Sequence, residues 1–111
     1  MKRLEEHLQK QCVSWFRIQY PMQRMLLHMN YQNHAQKYMR ILLSKLGWVG
    51  GVADLEYNFD GKTYFFELKA GKGKQTETQK KFERIITKHG FEYYVVRSLD
   101  EFMQIIRRIN K

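Results

Sequence analysis

The 111-residue chain is expected to fold as one α/β domain spanning 1–111, a central mixed β-sheet flanked by helices in the order αβαββαβα. Three observations lead there. Apolar residues recur at helical spacing in segments separated by short alternating runs. An Asp60-Gly61 dipeptide between two such runs marks a tight hairpin. A single proline and the lack of repeats or low-complexity tracts leave only short connections, and the length suits one core without staples.

The first helix is read from about Lys2 to Arg17, where Leu4, Leu8, Cys12, Trp15 and Phe16 fall at helical spacing, and Tyr20-Pro21 ends it. The short apolar run Met25-Leu-Leu-His-Met29 reads as a strand, though its length also admits a helical turn. A second helix runs from roughly His34 to Leu46 and is closed by Gly47, a residue suited to a left-handed cap. Trp48-Val-Gly-Gly-Val-Ala53 leads into the hairpin, its glycines allowing a sharp bend or a close approach. After the hairpin comes a flexible basic loop, Ala70-Gly-Lys-Gly-Lys-Gln75. Thr76 caps a third helix that reaches about Lys88 and ends at His89-Gly90. Phe91 to Arg97 is the last strand, and Ser98 opens a final helix with Asp100 and Glu101 in its first turn.

The hairpin carries the chemistry. Counting outward from Asp60-Gly61 pairs Phe59 with Lys62, Tyr57 with Tyr64 and Leu55 with Phe66, and so sets Asp54 opposite Glu67. The strand period of two puts Lys69 on the side of Glu67, and Leu55, Tyr57, Phe59, Tyr64, Phe66 and Leu68 on the other, apolar side. Opposed carboxylates on an antiparallel ladder have β-carbons about 5 Å apart and repel. A divalent cation such as Mg²⁺, which takes carboxylate oxygens and keeps several waters, offsets that repulsion. Lys69 then stands ready to orient or deprotonate a water, or to stabilise charge on a phosphate. A surface acid pair neutralised by Lys69 is the other reading of the same residues.

A net charge of +9, from 20 Lys+Arg against 11 Asp+Glu, points to a polyanionic partner, with nucleic acid favoured over a membrane surface. No apolar stretch approaches the roughly 20 residues of a membrane span, and Met1-Lys-Arg-Leu-Glu-Glu is no signal peptide. A cytoplasmic protein of a bacterial or phage-infected host cell is expected. Cys12 is alone, which excludes an internal disulfide and a multi-cysteine zinc site and suits a small buried hydrophobe. His7, His34 and His89 show no metal-ligand spacing.

Gly51-Val-Ala-Asp-Leu55, Phe66-Glu-Leu-Lys-Ala-Gly-Lys-Gly-Lys74, Gln79 with Phe82, and Val95-Val-Arg-Ser-Leu-Asp-Glu-Phe102, in this order, resemble the VRR-NUC domain family of the PD-(D/E)xK nuclease superfamily. Glu5-Glu-His-Leu-Gln9 and the His28-x-Asn30 neighbourhood are similar to that family's opening helix and first strand. The likeness covers nearly the whole chain. Ala53 stands where the family's proline usually precedes the aspartate. That proline stiffens the backbone and ligates nothing, so its loss leaves metal binding intact.

The resemblance implies a restriction-endonuclease-like core and a metal-dependent endonuclease in which Asp54, Glu67 and the Leu68 carbonyl hold Mg²⁺ or Mn²⁺. Lys69 would position or activate the attacking water, leaving a 5′-phosphate and a 3′-hydroxyl. A helix glutamate beside the metal is also implied, Glu5 or Glu6. Glu5 is favoured, because it falls among Leu4, Leu8, Cys12 and Phe16 on the buried side of the helix. A first-turn acid complementing the helix dipole is the alternative. Gln79 lies in line with Phe82 and Ile86, where a polar amide wants a partner: Lys69, a water or a phosphate. A boundary residue in the first helical turn is as good a reading.

Lys72 and Lys74 are placed to meet DNA phosphates, and Lys80, Arg40 and Lys45 are candidates to extend that track if they are not simply solvated. His28 and Asn30 are expected near the substrate, with an edge histidine as the equal alternative. Small stand-alone relatives act on branched DNA, including four-way (Holliday) junctions, often as symmetric dimers. A homodimer is therefore expected, with Trp15, Phe16, Met22, Met25 and Met29 as an apolar surplus for its interface. A non-catalytic basic nucleic-acid-binding module is the reading from another class, and a nuclease for RNA or single strands is a third.

Overall fold

A computed structural model describes residues 2–30 and 36–111. The elements run α1 (Lys2–Gln19), a 3₁₀ turn (Pro21–Leu26), β1 (Leu27–Met29), α2 (Lys37–Lys45), β2 (Leu55–Phe59), β3 (Lys62–Leu68), α3 (Glu77–Lys88), β4 (Glu92–Val96) and α4 (Leu99–Ile109). The four strands form one sheet in sequence order, β1-β2-β3-β4. β1/β2 and β2/β3 are antiparallel and β3/β4 is parallel, so the sheet is mixed as the order of elements requires.

The hairpin has the register expected from its turn: Phe59 faces Lys62, Tyr57 faces Tyr64 and Leu55 faces Phe66. Asp60 and Gly61 take φ of 50° and 78°, the pair of positive values that a two-residue type I′ loop demands and that matches the twist of the strands. The helix ends follow local chemistry equally well. Thr76 caps α3 in a full capping box with Gln79, and the Ser98 hydroxyl accepts from the Glu101 amide at the start of α4. At the end of α3 the amides of Gly90 and Phe91 donate to the carbonyls of Thr87 and Ile86, a Schellman closure made possible by the positive φ of Gly90. Gly47 and Trp48 close α2 in the same way.

One expected strand is shorter than the sequence suggested. Met25 and Leu26 belong to the 3₁₀ turn, and only Leu27–Met29 pairs with β2. Pro21 fixes the first φ of that turn, and the Gln23 amide bonds the Tyr20 carbonyl, which consumes the start of the apolar run in a tight coil. The residues expected to begin α2 near His34 lie outside the described residues. α1 runs on past Arg17 to Gln19, and Leu4, expected on its buried side, is 58 % exposed.

Helices cover both faces. On one, α1 and α4 bury Leu8, Cys12, Phe16, Phe102 and Ile106 against Leu55, Tyr57, Phe66 and Leu68. Aromatic edges fit the rings together here, with Phe66 and Phe102 5.0 Å apart and Phe16 and Tyr57 5.3 Å apart. On the other face α3 lays Phe82 and Ile86 over Ala53, Phe65, Tyr93 and Val95. The polar side of the hairpin is thus partly apolar, because Phe65 alternates with Glu67 and needs the cover of Phe82, 5.2 Å away.

Candidate functional site

Asp54 enters the site from the residue before β2. Its backbone carbonyl accepts from the Asn30 amide at 2.9 Å and the Asn30 side-chain amide donates to the Ala53 carbonyl at 3.0 Å, so the β1/β2 pairing is prolonged to hold this segment. Oδ2 of Asp54 accepts from the Leu68 amide at 2.8 Å. The carboxylate is therefore tied to the end of β3, where Glu67 projects on the same face. The two carboxyls lie within hydrogen-bond reach of each other.

Glu67 is 2 % exposed and is held from three sides. Gln79 Nε2 donates to Oε2 at 2.8 Å, the Lys69 ammonium lies 3.6 Å from the same oxygen, and the Tyr93 hydroxyl is 3.4 Å from Oε1. Burial, followed by repulsion from Asp54, pushes the Glu67 carboxyl up to about 8, with Lys69 opposing. Asp54 is raised for the same first reason, burial, while the Leu68 amide pulls it back. Two neighbouring acids that both resist ionisation make a site that favours positive charge.

Glu5, Glu6, His28, Asn30, Asp54, Glu67 and Gln79 all line one cleft of about 680 Å³ between α1 and the edge strand β1. Glu5 is half-buried and its charge bears on Asp54. Glu6, expected to turn away, lines the cleft too, because the exposed first turn of α1 offers both side chains to it. Gln79 bonds Glu67, and its carbonyl oxygen accepts from the Thr76 amide in the cap. Lys69 is 7 % exposed and sits behind Glu67, outside the cleft lining.

Lys72, Lys74 and Lys80 do not line the cleft. All three are exposed, and Lys80 pairs with Glu77 at 3.6 Å. His28 lies within β1, half-exposed and 4.0 Å from Glu56. Of the apolar surplus expected at an interface, Phe16 is fully buried and Trp15 packs against Tyr20 and Phe102, whereas Met22, Met25 and Met29 are exposed.

Tyr93 was not foreseen. Its hydroxyl also meets Gln75 Nε2 at 3.3 Å, and Gln75 reaches Glu83 at 3.0 Å, so the loop after β3 is tied to Glu67 through this phenol. The alternation of β4 puts Tyr93 opposite Tyr94, but only the parallel register of β3 and β4 aims it at Glu67.

Among the described residues no group of three His, Cys, Asp or Glu is arranged to hold a metal ion. The pair Asp54 and Glu67 nevertheless has the chemistry of a hard-cation site: a buried and a half-buried carboxylate, each with one oxygen fixed by the protein through Leu68 or Gln79. Mg²⁺ and Mn²⁺ accept so few protein ligands because they keep several waters.

No protein-family model and no curated protein matches the chain. Among solved structures it is similar to a VRR_NUC domain protein, with a TM-score of 0.78 and 18% identity over 94% of this chain and 85% of that one. The mixed sheet, the helices on both faces and the hairpin that carries Asp54 and Glu67 thus form the α/β fold of a VRR-NUC domain protein, the fold that the motif residues had implied.

Proposed function

We propose that this chain is a VRR-NUC nuclease, a metal-dependent and structure-selective DNA endonuclease that hydrolyses phosphodiester bonds. The observation that carries this reading is the acid pair of half-buried Asp54 and buried Glu67 beside the Lys69 ammonium, at the end of an open cleft. Asp54, Glu67 and the Leu68 carbonyl would hold Mg²⁺ or Mn²⁺, which would supply Lewis acidity toward the phosphate. Lys69 orients the attacking water and balances the charge that builds on the phosphoryl oxygens. Gln79 and Tyr93 keep the Glu67 carboxylate aimed, and Glu5 stands across the cleft from it. Water oxygen joins phosphorus as the bond to the 3′-oxygen breaks, leaving a 5′-phosphate and a 3′-hydroxyl.

Branched DNA, four-way junctions included, is the favoured substrate, and the active form is a homodimer. Exposed Met22, Met25 and Met29, with Ile41, Leu42 and Leu46 near α2, offer apolar surface for such an interface. Lys72, Lys74 and Lys80 meet phosphates outside the cleft. The deciding experiment incubates the protein with labelled branched and linear DNA in Mg²⁺, in Mn²⁺ and in chelator. Cleavage of branched DNA that needs the metal is expected. Binding without cleavage under every condition would make the protein a binding module instead, and light scattering that shows a monomer at tens of micromolar would remove the dimer.

A further inference from the structure

We propose that the cleft between α1 and the β1 edge binds a single-stranded DNA segment leading away from the cut, with Lys10 and Arg17 on its phosphates and the His28 ring against a base. This rests on the nuclease reading only for where the cut lies. Glu6, Lys10, Val13 and Arg17 follow one another at spacings of four, three and four, so one stripe of α1 faces the cleft along its whole length. The stripe changes sign as it goes. It starts with Glu5 and Glu6 beside Asp54 and Glu67, and continues to Lys10 and Arg17.

Both cations are exposed, and neither has an ion-pair partner among the described residues, although Glu6 stands one helical turn before Lys10. Unpaired cations that line a cleft are available to an anion. About 10 Å of helix axis separates Lys10 from Arg17, roughly the rise of three stacked nucleotides on one strand. The opposite wall is the edge strand, where His28 is half-exposed and Met29 is 60 % exposed. A basic groove with flat or apolar side chains along it is the way proteins hold single strands. At about 680 Å³ the cleft is of the size that takes small organic ligands, room for a few nucleotides of one strand.

The test measures binding of a short fluorescent single-stranded DNA by anisotropy, in chelator and over a salt series, so no cut is read. A protein that never cleaves still answers it. Replacing Lys10→Ala with Arg17→Ala should weaken binding at least tenfold at low salt and make the slope of log K against log salt shallower by about 1.4, that is about 0.7 for each lost contact. The pair Lys10→Gln with Arg17→Gln, which keeps the stems, should do the same. Lys81→Ala with Lys88→Ala removes equal charge from the outer side of α3 and should leave the slope unchanged. His28→Ala should cost about fivefold in affinity without moving the slope. Equal slope changes for both lysine-bearing pairs, an equal loss on a blunt duplex, or tighter binding of RNA of the same sequence would each overturn the proposal.

Discussion

On one face of the sheet α1 and α4 close over Leu55, Tyr57, Phe66 and Leu68 with ring against ring, while on the other α3 covers Phe65 and Tyr93 and leaves Asp54 and Glu67 facing each other. The first face holds no charged group among its buried residues, and its one fully buried phenol, Tyr57, is satisfied by Gln23 and Asn110. The second contains an acid pair, buried at Glu67 and half-buried at Asp54, that opposes its own ionisation. The difference teaches that the apolar face supplies the stability against which an electrostatically unfavourable face can be held in place. Each face is therefore expected to respond to a different kind of change.

The largest expected effect is on the apolar face. Phe102→Ala should lower unfolding free energy by about 3–5 kcal/mol in a denaturant titration, because its buried ring packs against Phe66 and Trp15. Phe82→Ala under half-buried α3 should cost about 1–2 kcal/mol. Equal costs would break the asymmetry between the faces.

Next comes the chemistry. Lys69→Ala should reduce metal-dependent cleavage by about 10³-fold with DNA binding largely retained, since it is one cation among many on a basic protein. Its fold should survive, because Glu67 can keep a proton once its partner is gone. Cleavage at the wild-type rate would refute the role given to Lys69.

A smaller effect concerns pH. Glu67 sits at about 8 in the fold against an ordinary 4.5, so the folded state binds a proton more tightly than the unfolded one. The contribution of Glu67 to stability without metal is then fully present below about 4.5 and is lost as pH rises through about 8. Glu67→Gln should flatten that fall, leaving a melting temperature on the order of a few degrees above wild type at pH 8. Mg²⁺ should stabilise the wild type more at pH 8 than at pH 6 and leave the variant unmoved. A variant whose melting curve tracks the wild type across this range would place the strain elsewhere.

The smallest expected effect belongs to Tyr93→Phe, which removes one long hydrogen bond to Glu67 and should shift stability by no more than about 1 kcal/mol. Metal affinity measured by calorimetry should fall roughly fivefold. An unchanged affinity would reduce Tyr93 to packing.

Local chemistry explains which of these features could be read in advance. Asp60-Gly61 sets a register from two residues, and from it follow the opposition of Asp54 and Glu67 and the sides of Leu55 to Leu68. Thr76, Ser98, Gly47 and Gly90 act within one helical turn, so their caps were legible too. What depends on distant pairing was not. The contact of Tyr93 with Glu67 arises from a parallel register across α3, and the short β1 reflects a contest between Pro21 and an apolar run that composition alone leaves undecided. The place of Lys72 and Lys74 just after β3 is legible in the sequence, whereas Lys10 and Arg17 look like an ordinary solvated face of α1 until β1 is set beside them to form the cleft.

Gln79 has one further consequence. Its oxygen ends the α3 backbone and its nitrogen ends the Glu67 carboxylate, so the residue must be an acceptor at one tip and a donor at the other. Glutamate would serve the helix just as well and would set a third negative charge against the acids. Alanine would fray the helix and free the glutamate in the same stroke. The amide is thus the one side-chain chemistry at this position through which the integrity of a helix and the aim of a carboxylate cannot be altered separately.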